Sequence, residues 1–243
     1  MRALDSWKGA WVILKKDLRG DRLYLIWNVV FMLYTGLMIS VMFVPSVKAA
    51  EVFLNPMSDF FMLMIIPVTG FFFSRRSFSY IKDDSYTQML RYYRTLPIPL
   101  SVIMKGRILQ LVMAMLFNGI FFYTTVYLVS SNLSSELRLG QFLALSLTWT
   151  GFGLMMNGIY ICFEFLMRGR TYLLVTLVLM IGVGMFAFVV AWFGGNVTQF
   201  SIEMSKQYSL LSPLMWGVLA LGILVLILCC NLTQRKLVKR DLA

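Results

Sequence analysis

The chain has 243 residues, 59% of them hydrophobic, with a formal charge of +11 and no His; soluble domains usually hold ~45–50% apolar residues. Its apolar excess is organised into long runs, so a sizeable soluble domain with its own core is excluded, and the missing His removes the commonest general base and metal ligand. The positive balance is not a nucleic-acid footprint. Nineteen of the 22 Lys and Arg residues fall on one side of a six-span pattern, and only Lys48, Arg138 and Lys206 fall on the other. Positive charge resists translocation, so the basic side is predicted to be cytoplasmic.

Before the first span, residues 1–22 carry Trp7, Trp11, Leu14 and Leu18 at helical spacing, with Lys8, Lys15, Lys16 and Arg19 around them. This predicts an amphipathic helix lying in the membrane interface, with Asp5 or Ser6 able to cap its start and Gly20 to end it. The segment does not read as a cleavable signal peptide. Residues 23–230 contain six apolar runs of spanning length, at about Leu23–Val44, Met57–Phe73, Ile108–Val129, Phe142–Phe163, Tyr172–Phe193 and Leu211–Cys230. Six spans place both termini in the cytoplasm, with outer loops at Pro45–Pro56, Ser130–Gln141 and Gly194–Leu210. The second run is the shortest and contains Pro67, which predicts a kinked span rather than a break. Residues 231–243 form a basic tail.

The loop at 74–107 is the most informative polar segment. Tyr86, Met89, Leu90 and Tyr93 follow i, i+3, i+4, i+7, and Ser85 and Gln88 have the spacing of a capping box. Asp83 and Asp84 precede this stretch and Arg91 and Arg94 close it, as the helix dipole favours. Leu96-Pro97 then stops it. A short extramembrane helix results, whose apolar face either packs on the protein's own span ends or docks another protein.

Within the spans the polar inventory is thin: Asn28, Asn118 and Asn157, scattered Ser and Thr, and Glu164 with Arg168 four residues on. The last two suit a structural ion pair at the cytoplasmic end. Gly151, Gly153, Gly158, Gly182 and Gly184 permit close helix approach, within the bundle or at a dimer face. Cys162, Cys229 and Cys230 lack zinc-ligand spacing and read as small packing residues. The N-x-S/T triplets at Asn132, Asn196 and Asn231 are explained by chance. No phosphate-binding G-x-x-x-x-G-K-[ST] loop occurs, so this chain carries no ATPase of its own. Neutral midplane positions argue against H⁺ or Na⁺ coupling, and no paired intramembrane carboxylates suggest a protease.

The order of these pieces resembles the permease subunits of type-2 ATP-binding-cassette exporters. The resemblance rests on the entry helix at Trp7–Arg19, the six spans, the loop ending "LRYYRTLPIPLSVIMKGRIL", the tail "LTQRKLVKRDLA" with its R-x-x-x-x-R-D-[LI] pattern, and "GGNVTQFSIEMSKQYSLLSPLMW", similar to a half-inserted segment before the last span. The outer loops are short, unlike those of members that bind large outer-surface partners. The resemblance implies an all-α integral membrane permease working as a homo- or heterodimer, with ATP bound by a separate ATPase subunit. Contact with that subunit would fall on Ser85, Tyr86, Met89, Leu90, Tyr93, Leu96 and Pro97, and a substrate route on the first, second and fifth spans. No substrate-contacting residue can be named. The abundant Met and Phe point to an amphipathic cargo (peptide, lipid or drug) moved outward across a plasma membrane of bacterial type. A non-transporting sensor or assembly module using the same loop is the rival reading.

Overall fold

The computed structural model describes residues 3–43, 48–74 and 84–239. Every regular element among the described residues is helical: α1 (Ala3–Gly20), α2 (Arg22–Met42), α3 (Lys48–Val68), α4 (Ser85–Thr95), α5 (Leu100–Val129), α6 (Ser131–Glu136), α7 (Leu139–Leu166), α8 (Gly169–Trp192), α9 (Val197–Tyr208), a 3₁₀ turn (Ser209–Leu211) and α10 (Pro213–Lys239). Five of these, α2, α5, α7, α8 and α10, are long and apolar enough to cross a membrane. They match the first and third to sixth expected runs, with α5 starting earlier and α10 running on through most of the expected tail. Residues 240–243, with the Arg240-Asp241 of the tail motif, lie outside the described residues, as do Arg75, Arg76, Lys82 and Asp83.

The second expected span falls on α3, with shifted bounds. Its helix starts at Lys48, inside the expected outer loop, and stops at Val68, and the described stretch Pro56–Val68 is apolar. The expected kink at Pro67 is a break. Thr69, Gly70 and Phe71 donate backbone bonds to Ile66, Pro67 and Val68, three residues back, which tightens and ends the helix. The chain then runs without regular structure to Ser74.

Packing is carried by small residues where helices meet. Gly222 of α10 lies so close to the Gly151 carbonyl of α7 that a β-carbon there would overlap it, and a β-carbon on Gly158 would come within 2.9 Å of Leu226 Cα. The α7–α10 pair is accordingly the most extensive helix contact in the molecule. Gly36 of α2 approaches Thr125 of α5 in the same way. Two apolar cores fill the bundle. One, with Met32, Ile66, Phe122, Leu145 and Trp149, occupies the half towards α6 and α9. The other, with Ile103, Leu111, Ile161, Phe165, Leu226 and Leu237, occupies the half towards α1 and α4.

Helix α1 lies across the start of α5 by a face other than that of its two Trp. Ser6, Ala10 and Leu14 are buried, whereas Trp7 and Trp11 stay 47% and 50% exposed. A single protein contact needs only a narrow stripe, and Gly9 and Ala10 let α1 come close; the bulky indoles flank it. Ser6 lies inside the helix rather than capping it, and its hydroxyl accepts from Lys105 Nζ at 2.6 Å.

Candidate functional site

Most of the described basic residues gather at one end of the bundle, where the end of α7, the starts of α5 and α8 and the end of α10 converge, with α1 and α4 laid against them. Helix α4 has the expected boundaries, from Ser85 to Thr95, and its chain turns extended at Leu96 ahead of Pro97. Its start differs from the expected capping box. Asp84 is the N-cap, in the left-handed region (φ 46°, ψ 46°), and its side chain makes no cap bond to α4. Asp84 Oδ1 instead accepts from the Gly169 N–H at the start of α8, at 2.9 Å.

The apolar face of α4 is turned inward. Leu90 and Tyr93 are buried (2% and 4% exposed) against Ile103, Met104, Phe165 and Leu237, with Met89 and Leu96 half-buried beside them. Of the two expected readings of this face, Leu90 and Tyr93 show the packing on the protein's own span ends. A short helix carrying four apolar residues gains most by covering the span ends beneath it. The outward face of α4 is Gln88, Arg91, Tyr92 and Thr95, followed by Pro97. Lys16 of α1 lies over the Tyr92 ring, 4.9 Å from its centroid. The side chains of Ser85 and Tyr86 lie outside the described residues.

Beneath α4 sits a buried ion pair, and it too differs from expectation. Glu164 pairs with Arg107 of α5, not with Arg168. Arg107 Nε donates to both carboxylate oxygens at 3.2 and 3.1 Å, and Nη2 donates to Oε2 at 2.7 Å. Glu164 closes the last turns of α7, whereas Arg168 has left that helix and caps α8 with an extended backbone, exposed. The guanidinium also faces the Phe71 ring at 5.5 Å. Arg is suited to such a pair because its fork meets both carboxylate oxygens at once. The pair borders a cavity of about 50 Å³ that Leu14, Phe71, Tyr93 and Gln110 also line.

The three span asparagines share one task that no spacing rule revealed. Asn118 Nδ2 donates to the Thr69 and Phe71 carbonyls at 2.9 and 2.8 Å, and Asn157 Nδ2 to the Pro67 carbonyl at 2.9 Å. Asn28 Oδ1 accepts from the Phe73 N–H at 3.1 Å. Amides from α2, α5 and α7 thus satisfy the backbone groups that the break after α3 exposes. Unwound backbone at membrane depth requires such protein partners.

At the opposite end, α9 is held by a carboxylate from elsewhere in the chain. Asp59 of α3, fully buried, accepts from the Val197 and Thr198 N–H groups at 2.7 and 2.8 Å. Asn196, one of the triplet asparagines, is the N-cap of α9 and accepts from Gln199. Lys206 pairs with Glu136, and Gln141 donates to the Lys206 carbonyl.

A membrane-type helical bundle with an extramembrane helix sealed onto its span ends is the class of protein these features define. The model of the ABC-2 family transporter protein matches residues 14–239, so the chain belongs to that family of membrane permease components of ABC transport. The matched domain is a transmembrane component and not an ATPase, and it implies an ABC ATPase as working partner. No curated protein and no solved structure matches the chain.

Proposed function

We propose that this permease exports an amphipathic molecule, driven by ATP hydrolysis on separate subunits, with two permease copies forming the route. On this reading α3 completes six spans, both termini are cytoplasmic, and the membrane is a bacterial plasma membrane. The observation that carries the proposal is α4. Its inner face is packed on the span ends and its outer face is exposed, which suits a helix that receives force from a cytoplasmic partner and passes it inward. The contact with the ATPase is therefore assigned to Gln88, Arg91, Tyr92, Thr95 and Pro97 rather than to the buried Leu90 and Tyr93.

The class of cargo is supported by a cleft of about 160 Å³ between α3, α7 and α8, lined by Leu63, Met64, Val68, Phe71, Tyr160 and Met180 among others. Such walls cannot replace the hydration shell of a small ion, but they accept an apolar body with a polar end. Two experiments test the proposal. Arg91→Glu combined with Tyr92→Ala should leave the permease folded in the membrane and release the ATPase from the purified complex; retention with full stimulated hydrolysis would move the contact elsewhere. In proteoliposomes, hydrolysis should rise with an amphipathic compound and not with inorganic ions or simple sugars. Stimulation by a hydrophilic solute alone would overturn the cargo class.

A further inference from the structure

We propose that Asp84 is a positioning residue of the transport cycle, fastening the docking helix α4 to the cytoplasmic start of α8 so that α8 swings as a lever about its opposite end. The inference rests on the reading of α4 as the ATPase-facing helix.

Three observations meet in it. First, α8 is the span least held by the rest of the chain. Of its residues only Gly169 and Ala187 are buried, although it is the most apolar of the candidate spans. Lipid tails are as apolar as Leu, so hydrophobicity does not press α8 onto its neighbours. A helix seated this lightly can tilt at small cost, and a directed push must reach it through a specific bond. Second, the Asp84 carboxylate at the start of α4 accepts from the Gly169 N–H, at the positive end of the α8 dipole. Asp84 makes it from a left-handed backbone that a residue with a β-carbon adopts at an energetic cost, and its side chain leaves its own helix uncapped to do so. Third, the far end of α8 is anchored. Beyond Phe193 the helix is closed by a glycine cap, in which Gly194 (φ 75°) and Gly195 donate backbone bonds to Ala191 and Val190, and two residues later the chain is pinned by the buried Asp59 carboxylate on Val197 and Thr198. One carboxylate drives α8 and another anchors the segment beyond its cap.

Two substitutions of residue 84 make the test selective. Gly suits the left-handed backbone better than Asp but lacks the carboxylate. Asn tolerates that backbone and keeps an oxygen acceptor for Gly169. A merely structural role would therefore rank Gly as harmless, whereas a tie would not. The complex with its ATPase is reconstituted with spin labels at L174C on α8 and L232C on α10, in a chain whose Cys162, Cys229 and Cys230 are replaced by Ala. Inter-label distances are read with and without ATP and vanadate, alongside ATP hydrolysis and melting temperature. The original chain and Asp84→Asn should show the same ATP-dependent shift. Asp84→Gly should melt no lower, yet its shifted population per ATP hydrolysed should fall about tenfold, the equivalent of one lost charge-assisted hydrogen bond. A full shift in Asp84→Gly overturns the tie. Loss of the shift in Asp84→Asn as well overturns the assignment to the acceptor oxygen. Absence of any shift in an actively hydrolysing original complex overturns the lever, and failure of the permease to bind any ATPase overturns the reading beneath it.

Discussion

Helices α7 and α8 follow one another in the chain and are both long enough to span, yet they relate to the bundle in opposite ways. The apolar window of α7 has a mean hydropathy of 1.3 and is 61% buried; that of α8 has 2.8 and is 6% buried. A soluble protein would bury the more apolar helix. Here the order is reversed because lipid satisfies Leu, Val and Phe as well as protein does, whereas glycines, amides and carboxylates need protein partners. Helix α7 contributes Gly151, Gly158, Asn157 and Glu164, and each is used: against α10, the end of α3 and Arg107. Helix α8 contributes aliphatic and aromatic side chains that mostly face outward.

The comparison can be broken or sharpened by substitution. The largest effect is expected at Gly222→Ala, whose new methyl would overlap the Gly151 carbonyl and drive α7 and α10 apart. The loss should exceed the ~1–3 kcal/mol of ordinary overpacking and abolish the monodisperse peak after detergent extraction. Next is Glu164→Ala, which leaves Arg107 buried without its carboxylate; about 3–5 kcal/mol should be lost from the melting equilibrium, with Glu164→Gln costing less. Asn118→Ala removes the donors to Thr69 and Phe71 and should cost about 1–3 kcal/mol. It should also raise protease cleavage within 69–74 in membranes. The smallest effect, and of opposite sign, is expected on α8. Gly182 has open space around it, so Gly182→Ala should leave folding intact and stabilise the helix by up to about 1 kcal/mol. If Gly182→Ala destabilises as Gly222→Ala does, α8 is covered by another protein surface and the contrast with α7 fails.

Local pattern carried much of the architecture. Run lengths located five spans to within a few residues, apart from the early start of α5 and the extension of α10, because a helix in lipid must satisfy its own backbone along its whole length. The boundaries of α4 were equally legible, since Pro97 and the extended Leu96 act on neighbouring residues. The charge split is consistent with the structure, where Lys206 and Glu136 lie at the end of the bundle away from α4. Tertiary structure decided what those elements do to one another. Glu164 found Arg107, 57 residues away, because the end of α7 packs against the start of α5 while Arg168 has already turned into α8. The apolar face of α4 turned inward because span ends lay beneath it. Asn28, Asn118 and Asn157 were visible as rare polar residues, but their common target, the unwound backbone after α3, exists only once α2, α5 and α7 surround it. Spacing along one helix is a local quantity; the partner of a buried amide or charge depends on which helices meet, and in lipid that is chosen by small residues and polar groups scattered across the whole chain.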